Sequence, residues 1–186
     1  MRKYAVLLIA LLALCACELF EVRDSEPPTK PPSWNNFTTS WELCLQNLSY
    51  CYEDARNVVK YGGLFTEGFR FSFAPQDIND YGISGIWGRA QEQDMLLSLH
   101  GQCDSLQLDL QPISGQNDDI SASEAIIYRS YELIAFKKDR ATPEPYSGNL
   151  ELRFRKDGGY WYIDRWYDYR GATPPTWGKL KYDNSQ

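Results

Sequence analysis

Two carboxylates, Glu151 and Asp164, fall opposite each other if Asn149 to Tyr169 (NLELRFRKDGGYWYIDRWYDY) folds as a hairpin around Asp157-Gly158. Carboxylates within reach of each other split their pKa values, leaving one to act as acid and the other as base. The same face carries Arg153, Arg155, Tyr160 and Tyr162. Guanidinium groups over phenol rings, Arg153 over Tyr162 and Arg155 over Tyr160, explain it more simply as a solvated exterior. The single histidine, His100, ends a predicted helix. As a general base it needs an orienting partner. Asp104 serves only if that helix runs on through Gly101, so an exposed helix-end side chain is the plainer reading. No residue is assigned a catalytic role. No CxxC, HxxxH or acidic calcium loop is present, and Asn117-Asp118-Asp119 is too short to be one, so no metal is expected. There is no glycine-rich phosphate loop after a strand and no GxSxG, and no cofactor is expected.

The cysteines carry the clearest chemistry. Arg2 and Lys3 precede the apolar run Tyr4 to Ala16, the charged and hydrophobic regions of an export signal. The run is shorter than the roughly 20 apolar residues of a transmembrane helix. It ends in Leu14-Cys15-Ala16-Cys17, the bacterial lipobox pattern. Cys17 is therefore read as the mature first residue, carrying thioether-linked diacylglycerol and an amide-linked third chain; Cys15 follows Leu14, where a small residue is needed. Two or three acyl chains anchor firmly, at roughly 0.8 kcal/mol per buried methylene. Of the remaining Cys44, Cys51 and Cys103, the first two lie on one face of a predicted helix but roughly 10 Å apart along its axis, too far to bridge. Cys103 could pair with either, and buried free thiols are the alternative.

Removing Arg2 and Lys3 from 19 basic residues leaves 17 against 25 acidic ones, a net charge of −8. Nucleic acid is excluded as a partner, because phosphate contacts need a basic surface. The cluster Lys137, Lys138, Arg140 reads as a solvated strand end.

Residues 1–16 are assigned as signal and 17–38 as lipidated cysteine and proline-rich linker, extended and reaching up to ~60 Å from the bilayer at roughly 3 Å per residue. Glu18 is not the aspartate that retains lipoproteins at an inner membrane. This favours the periplasmic face of the outer membrane.

One domain is expected over 39–182, with 183–186 a flexible tail. Ser40 can cap a helix whose apolar residues are Trp41, Leu45, Leu48 and Tyr52, with Cys44, Cys51 and Ala55 adjoining. Arg56 to Tyr61 extends it, and Gly62-Gly63 supplies a left-handed end. Phe69 to Phe73 alternates as a strand. Pro75 to Gly88 reads as loop, Arg89 to Leu99 as a helix with Met95, Leu96 and Leu99 inward. Strands follow over Ser105 to Gln111 and Glu124 to Lys137, then the hairpin. In the hairpin Leu152, Phe154, Trp161 and Ile163 share the apolar face, Phe154 facing Trp161 and Leu152 facing Ile163. Gly171 to Gln186 reads as a tail packed by Trp177.

Three stretches carry a family resemblance: Tyr50 to Phe73, the Trp87 region opening a helix, and WYIDRWYDY (161–169) followed by TWGKLK (176–181). Over roughly Trp41 to Lys181 the chain resembles the nuclear-transport-factor-2-like superfamily, which includes ketosteroid isomerase and the SnoaL cyclases, and among these uncharacterised bacterial lipoproteins. The resemblance implies an α+β fold, a cone of N-terminal helices packed on a strongly curved antiparallel sheet. The cone's cavity is expected to be lined by Phe71, Trp87, Leu152, Phe154, Trp161, Ile163 and Trp166. Strict alternation turns Trp166 outward; the family-like WxIxxW spacing implies a bulge near Asp164-Arg165 that returns it inward.

The resulting expectation is a non-catalytic, lipid-anchored cell-envelope domain acting by binding or assembly. Its expected partners are the membrane, through the lipid anchor, and either a small apolar ligand or a second copy through the sheet. The alternative is a small isomerase, dehydratase or cyclase using an Asp, Glu or His in the cavity, which a plug of Trp and Phe would rule out.

Overall fold

In the computed structural model the described residues are 30–83, 87–173 and 175–185. The expected signal segment, Cys17 and the expected linker up to residue 29 lie outside them. A packed unit runs over Pro32–Gln186.

Its spine is the hairpin of β5 (Glu144–Asp157) and β6 (Tyr160–Arg170). The turn is Gly158-Gly159, with φ of 55° and 90°, rather than Asp157-Gly158. Two consecutive positive φ values are what a tight hairpin turn needs, and two glycines supply them without strain. Moving the tip by one residue slides the pairing by two, so each side chain keeps its face. Phe154 is opposite Ile163 rather than Trp161, and Lys156 is opposite Trp161. The register then breaks between Phe154↔Ile163 and Arg153↔Arg165, leaving Asp164 as the extra residue of a bulge. Past it Leu152 faces Trp166, and Trp166 is fully buried. The bulge also turns Asp168 inward.

The sheet order is β1-β6-β5-β4-β2, where β1 is Phe65–Ser72, β2 Cys103–Pro112 and β4 Glu124–Lys137; the two-residue β3 (Asp119–Ile120) adds to β4. The meander is antiparallel, as expected. β1, however, joins β6 in parallel, pairing Phe71 with Trp166, so the sheet is mixed. No hairpin links these two strands, so nothing local fixes their relative direction.

Helices cover the inner face. In α1 (Trp41–Glu53) the Ser40 hydroxyl accepts from Leu43 N, and Cys44, Leu48, Cys51 and Tyr52 are buried. Trp41 and Leu45 are only half-buried, so the packed face is turned towards the cysteines. A 3₁₀ turn (Ala55–Asn57), the one-turn α2 (Val58–Tyr61) and a second 3₁₀ turn (Gly62–Leu64) lead into β1. Gly62 has φ −56°, not the left-handed value expected. It is glycine for space: its N–H bonds Gln93 Oε1 at 2.6 Å, and a Cβ would lie 2.8 Å from that oxygen. The expected loop after β1 contains α3 (Pro75–Tyr81), opened by a proline at its first turn and closed by left-handed Gly82. Then comes α4 (Arg89–Gln102).

The C-terminal segment is not a tail. Thr176 caps α5 (Trp177–Asp183), which buries Trp177, Gly178, Leu180 and Lys181. Asn184, expected in a flexible end, is also buried. At the other end, residues before 39 are packed too. Asn35 and Asn47 exchange two hydrogen bonds (2.8 and 2.9 Å), and Trp161 N donates to Thr38 O. Cys44, Cys51 and Cys103 are buried free thiols. Among the described residues no helix is long and apolar enough to cross a membrane.

Candidate functional site

The hairpin carboxylates do not meet. Glu151 stands opposite Tyr167 and accepts from Arg153 Nε at 2.6 Å; Asp164, on the bulge, accepts from the Thr66 hydroxyl at 2.8 Å and pairs with Arg165 at 2.9 Å. Arg153 lies over Tyr167, not Tyr162. His100 is half-buried rather than exposed. Its Nε2 bonds the Cys51 carbonyl at 2.8 Å, and burial holds its pKa below the usual histidine value. Asp104 is exposed on β2. Among the described residues no cluster of three His, Cys, Asp or Glu forms that could hold a metal.

The seven residues named as cavity lining, Phe71, Trp87, Leu152, Phe154, Trp161, Ile163 and Trp166, are all buried. Four of them pack against other rings, and Trp161 lines a surface pocket of about 310 Å³ beside Trp34 and Phe37. Phe154 packs on Trp41, Phe71 on Trp166 and Trp87 on Phe73, at 6.0, 5.5 and 5.4 Å between centroids. The two large surface clefts, about 710 and 680 Å³, are lined by other residues: Tyr81, Tyr146 and Lys179 in one, Thr66, Arg89 and Arg155 in the other.

The polar chemistry of the interior gathers around α5. Trp177 stands edge-on to Trp166 with centroids 4.6 Å apart, and its indole N–H donates to Tyr52 at 3.0 Å. The Tyr52 and Tyr61 hydroxyls are 3.5 Å apart. Tyr61 donates to Glu92 Oε2 at 2.7 Å, and Lys181 Nζ donates to Glu92 Oε1 at 2.7 Å. Glu92 and Lys181 are both fully buried. Lys181 Nζ also lies 3.4 Å from the Trp166 ring centroid and 3.9 Å from that of Phe71. Burial lowers this ammonium to about 8, against the opposing pull of Glu92 and Asp168.

A second network starts on β6. The Asp168 carboxylate accepts from the Tyr131 hydroxyl at 2.8 Å and from Gly178 N at 2.7 Å, while Trp177 N donates to the same Tyr131 oxygen at 2.8 Å. Burial raises Asp168 to about 6, opposed by the hydrogen bonds from Tyr131 and Gly178 and by the charge of Lys181. Burial also holds the Tyr52, Tyr61 and Tyr131 phenols well above their usual values, so they stay protonated. The base of α5 is tied down by Asp77, which is fully buried, accepts from the Thr176 hydroxyl and pairs with Arg170.

Sequence reasoning missed Glu92, Asp168, Tyr131, Trp177 and Lys181 as a group. Two signals were present. Glu92 sits in the helical series 92, 95, 96, 99 with three apolar residues, and the bulge that returns Trp166 inward carries Asp168 with it. Chemically the cluster can hold a cation against Glu92 and aromatic faces, or move a proton between Asp168 and a bound group. In this structure both capacities are engaged by α5.

No family model matches the chain, and no curated protein is similar to it. Solved structures do match. A presumed scytalone dehydratase from Novosphingobium aromaticivorans has a TM-score of 0.56 at 18% identity, over 74% of this chain and 91% of that one. A nuclear-transport-factor-2-like superfamily protein from Salmonella enterica gives 0.55 at 15% identity, over 74% and 94%. The β subunit of a presumed aromatic-ring-hydroxylating dioxygenase from Novosphingobium aromaticivorans gives 0.54 at 12%, over 74% and 90%. The α+β architecture is thus the nuclear-transport-factor-2-like cone fold.

Proposed function

We propose that the chain is a lipid-anchored cell-envelope protein whose cone domain acts by binding or assembly rather than by catalysis. The observation that carries the non-catalytic reading is α5 within the cone. Trp177 fills space against Trp166, and Lys181 neutralises Glu92 from within the chain. The lipobox Leu14-Cys15-Ala16-Cys17 supports attachment at Cys17, and Glu18 supports the periplasmic face of the outer membrane. Contact through the outer sheet face to a second copy remains part of this reading. Intact mass of the Cys17 peptide from membrane fractions tests the anchor: diacylglyceryl-modified Cys17 is expected, and an unmodified one overturns it.

A second reading, a small dehydratase, isomerase or cyclase, is favoured by one observation. Asp168, raised to about 6 by burial, is bonded to the Tyr131 phenol, a carboxylate and a proton donor side by side. The neighbour presumed to be a scytalone dehydratase fits that reading. Saturable turnover of hydroxylated aromatic substrates by the wild-type chain, lost in Asp168→Asn, would establish it and displace the binding reading.

A further inference from the structure

We propose that the cone interior is a recognition site for a primary alkylammonium group, with the Lys181 side chain as its built-in occupant. The proposal rests on reading the cone as a binding chamber, and it names the class of ligand.

The cage belongs to the body of the domain, not to the lysine. Glu92 comes from α4, Phe71 from β1 and Trp166 from β6. Only the cation and Trp177 come from α5. The ammonium sits over two ring faces and against one carboxylate oxygen, at 3.4, 3.9 and 2.7 Å. Ring quadrupoles attract cations, more strongly when water is excluded. Asp168 adds a second negative charge to the chamber.

Stability alone gives little reason for this arrangement. Taking an ammonium and a carboxylate out of water costs several kcal/mol each, and a well-packed apolar pair of similar volume often does as well or better. A cage that selects a cation is a reason for such a pair to exist. The ligand class follows from the bonds. The ammonium must donate a hydrogen to Glu92 Oε1, so a quaternary ammonium, which has no N–H, does not fit. A neutral alcohol leaves Glu92 without a counter-charge.

The test uses the full chain carrying Lys181→Ala. This substitution removes the side chain beyond Cβ and leaves a void the shape of n-propylammonium. In a thermal melt, n-propylammonium chloride is expected to raise Tm, by about 3–5 °C at ten times its Kd and by a further increment for each tenfold increase in concentration. The neutral analogue 1-propanol and tetramethylammonium chloride should not. The added change Glu92→Gln should abolish the preference for the amine. If Lys181→Ala does not fold in buffer alone, recovery of folded protein on refolding with n-propylammonium but not with 1-propanol carries the same conclusion. Equal response to amine and alcohol, or response to neither, overturns the ammonium assignment and leaves the binding reading standing. Turnover dependent on Asp168 has the opposite effect. It overturns the binding reading and leaves the amine preference to be judged on the melts.

Discussion

Glu151–Arg153 and Glu92–Lys181 are two carboxylate–cation pairs of similar length, 2.6 and 2.7 Å, one outside the curved sheet and one inside it. The outer pair is the one the sequence draws attention to, because alternation in a strand places its members visibly on one face. Its arginine side chain is 48% exposed and its glutamate side chain 10%, so water and salt reach the pair from the arginine side and screen the attraction. The inner pair is 0% exposed on both sides, and each charge has only its neighbours to replace water. Similar geometry therefore carries different consequences: the outer pair opens to solvent through its arginine, and the inner one commits four elements, α4, β1, β6 and α5, to one arrangement.

The largest expected effect comes from breaking the inner pair. Lys181→Ala or Glu92→Ala should each cost about 3–5 kcal/mol in urea unfolding, because each leaves a buried charge without its partner. Replacing both by methionine should recover most of that loss, the remainder being the Tyr61 hydroxyl left without an acceptor. Single losses below about 1 kcal/mol would erase the contrast between inside and outside.

Next is Gly148→Ala on β5. A Cβ there would lie 2.5 Å from Tyr169 O and 2.6 Å from the Tyr131 hydroxyl. The expected cost is about 1–3 kcal/mol. Displacement of Tyr131 should also loosen α5, seen as faster amide hydrogen exchange at Trp177 and Gly178. Loss of stability without that change would separate the strand from the site.

Asp168 gives a pH-dependent test. Its folded value of about 6 lies above the ordinary 3.8. As pH falls from about 6 to 4 the folded chain takes up this proton before the unfolded chain does, so this group's contribution to stability rises on acidification. The full gain is about 3 kcal/mol in order of magnitude. The stability difference between wild type and Asp168→Asn, followed by urea unfolding, should therefore grow in favour of wild type from pH 7 to pH 4. A flat difference would mean that Asp168 titrates as an exposed carboxylate does.

The smallest effect belongs to the outer pair. Arg153→Ala should cost at most about 0.5–1 kcal/mol, and less as salt is raised. A cost comparable to that of Lys181→Ala would remove the distinction altogether.

Much of the scaffold was legible. Helical spacing marked α1 and α4, alternation marked β1 and β2, apolar positions marked β4, and the Asp157-Gly158 turn signal fixed the faces of β5 and β6 even though the tip moved by one residue. The family-like WxIxxW spacing implied the bulge that Asp164 provides. The parallel pairing of β1 with β6 was not legible, since residues nearly a hundred positions apart share no local signal of direction. Nor was α5. These seven residues read as a tail packed by Trp177 alone, because helix formation there depends on a cap held by Asp77 and on packing against Trp166.

The sequence by itself carries the lipobox pattern that ends at Cys17, and it determined the α+β class and which side chains of the hairpin share a face. These rest on local chemistry: a short apolar run before a cysteine, periods of 3.6 and 2, and glycines that tolerate positive φ. Only the tertiary structure decided that a lysine from the last helix meets a glutamate from α4 over aromatic rings of β1 and β6. Such a pair has no period and no spacing along the chain. It exists because burial removes water, and each charge must then take its partner from whatever the fold brings within reach.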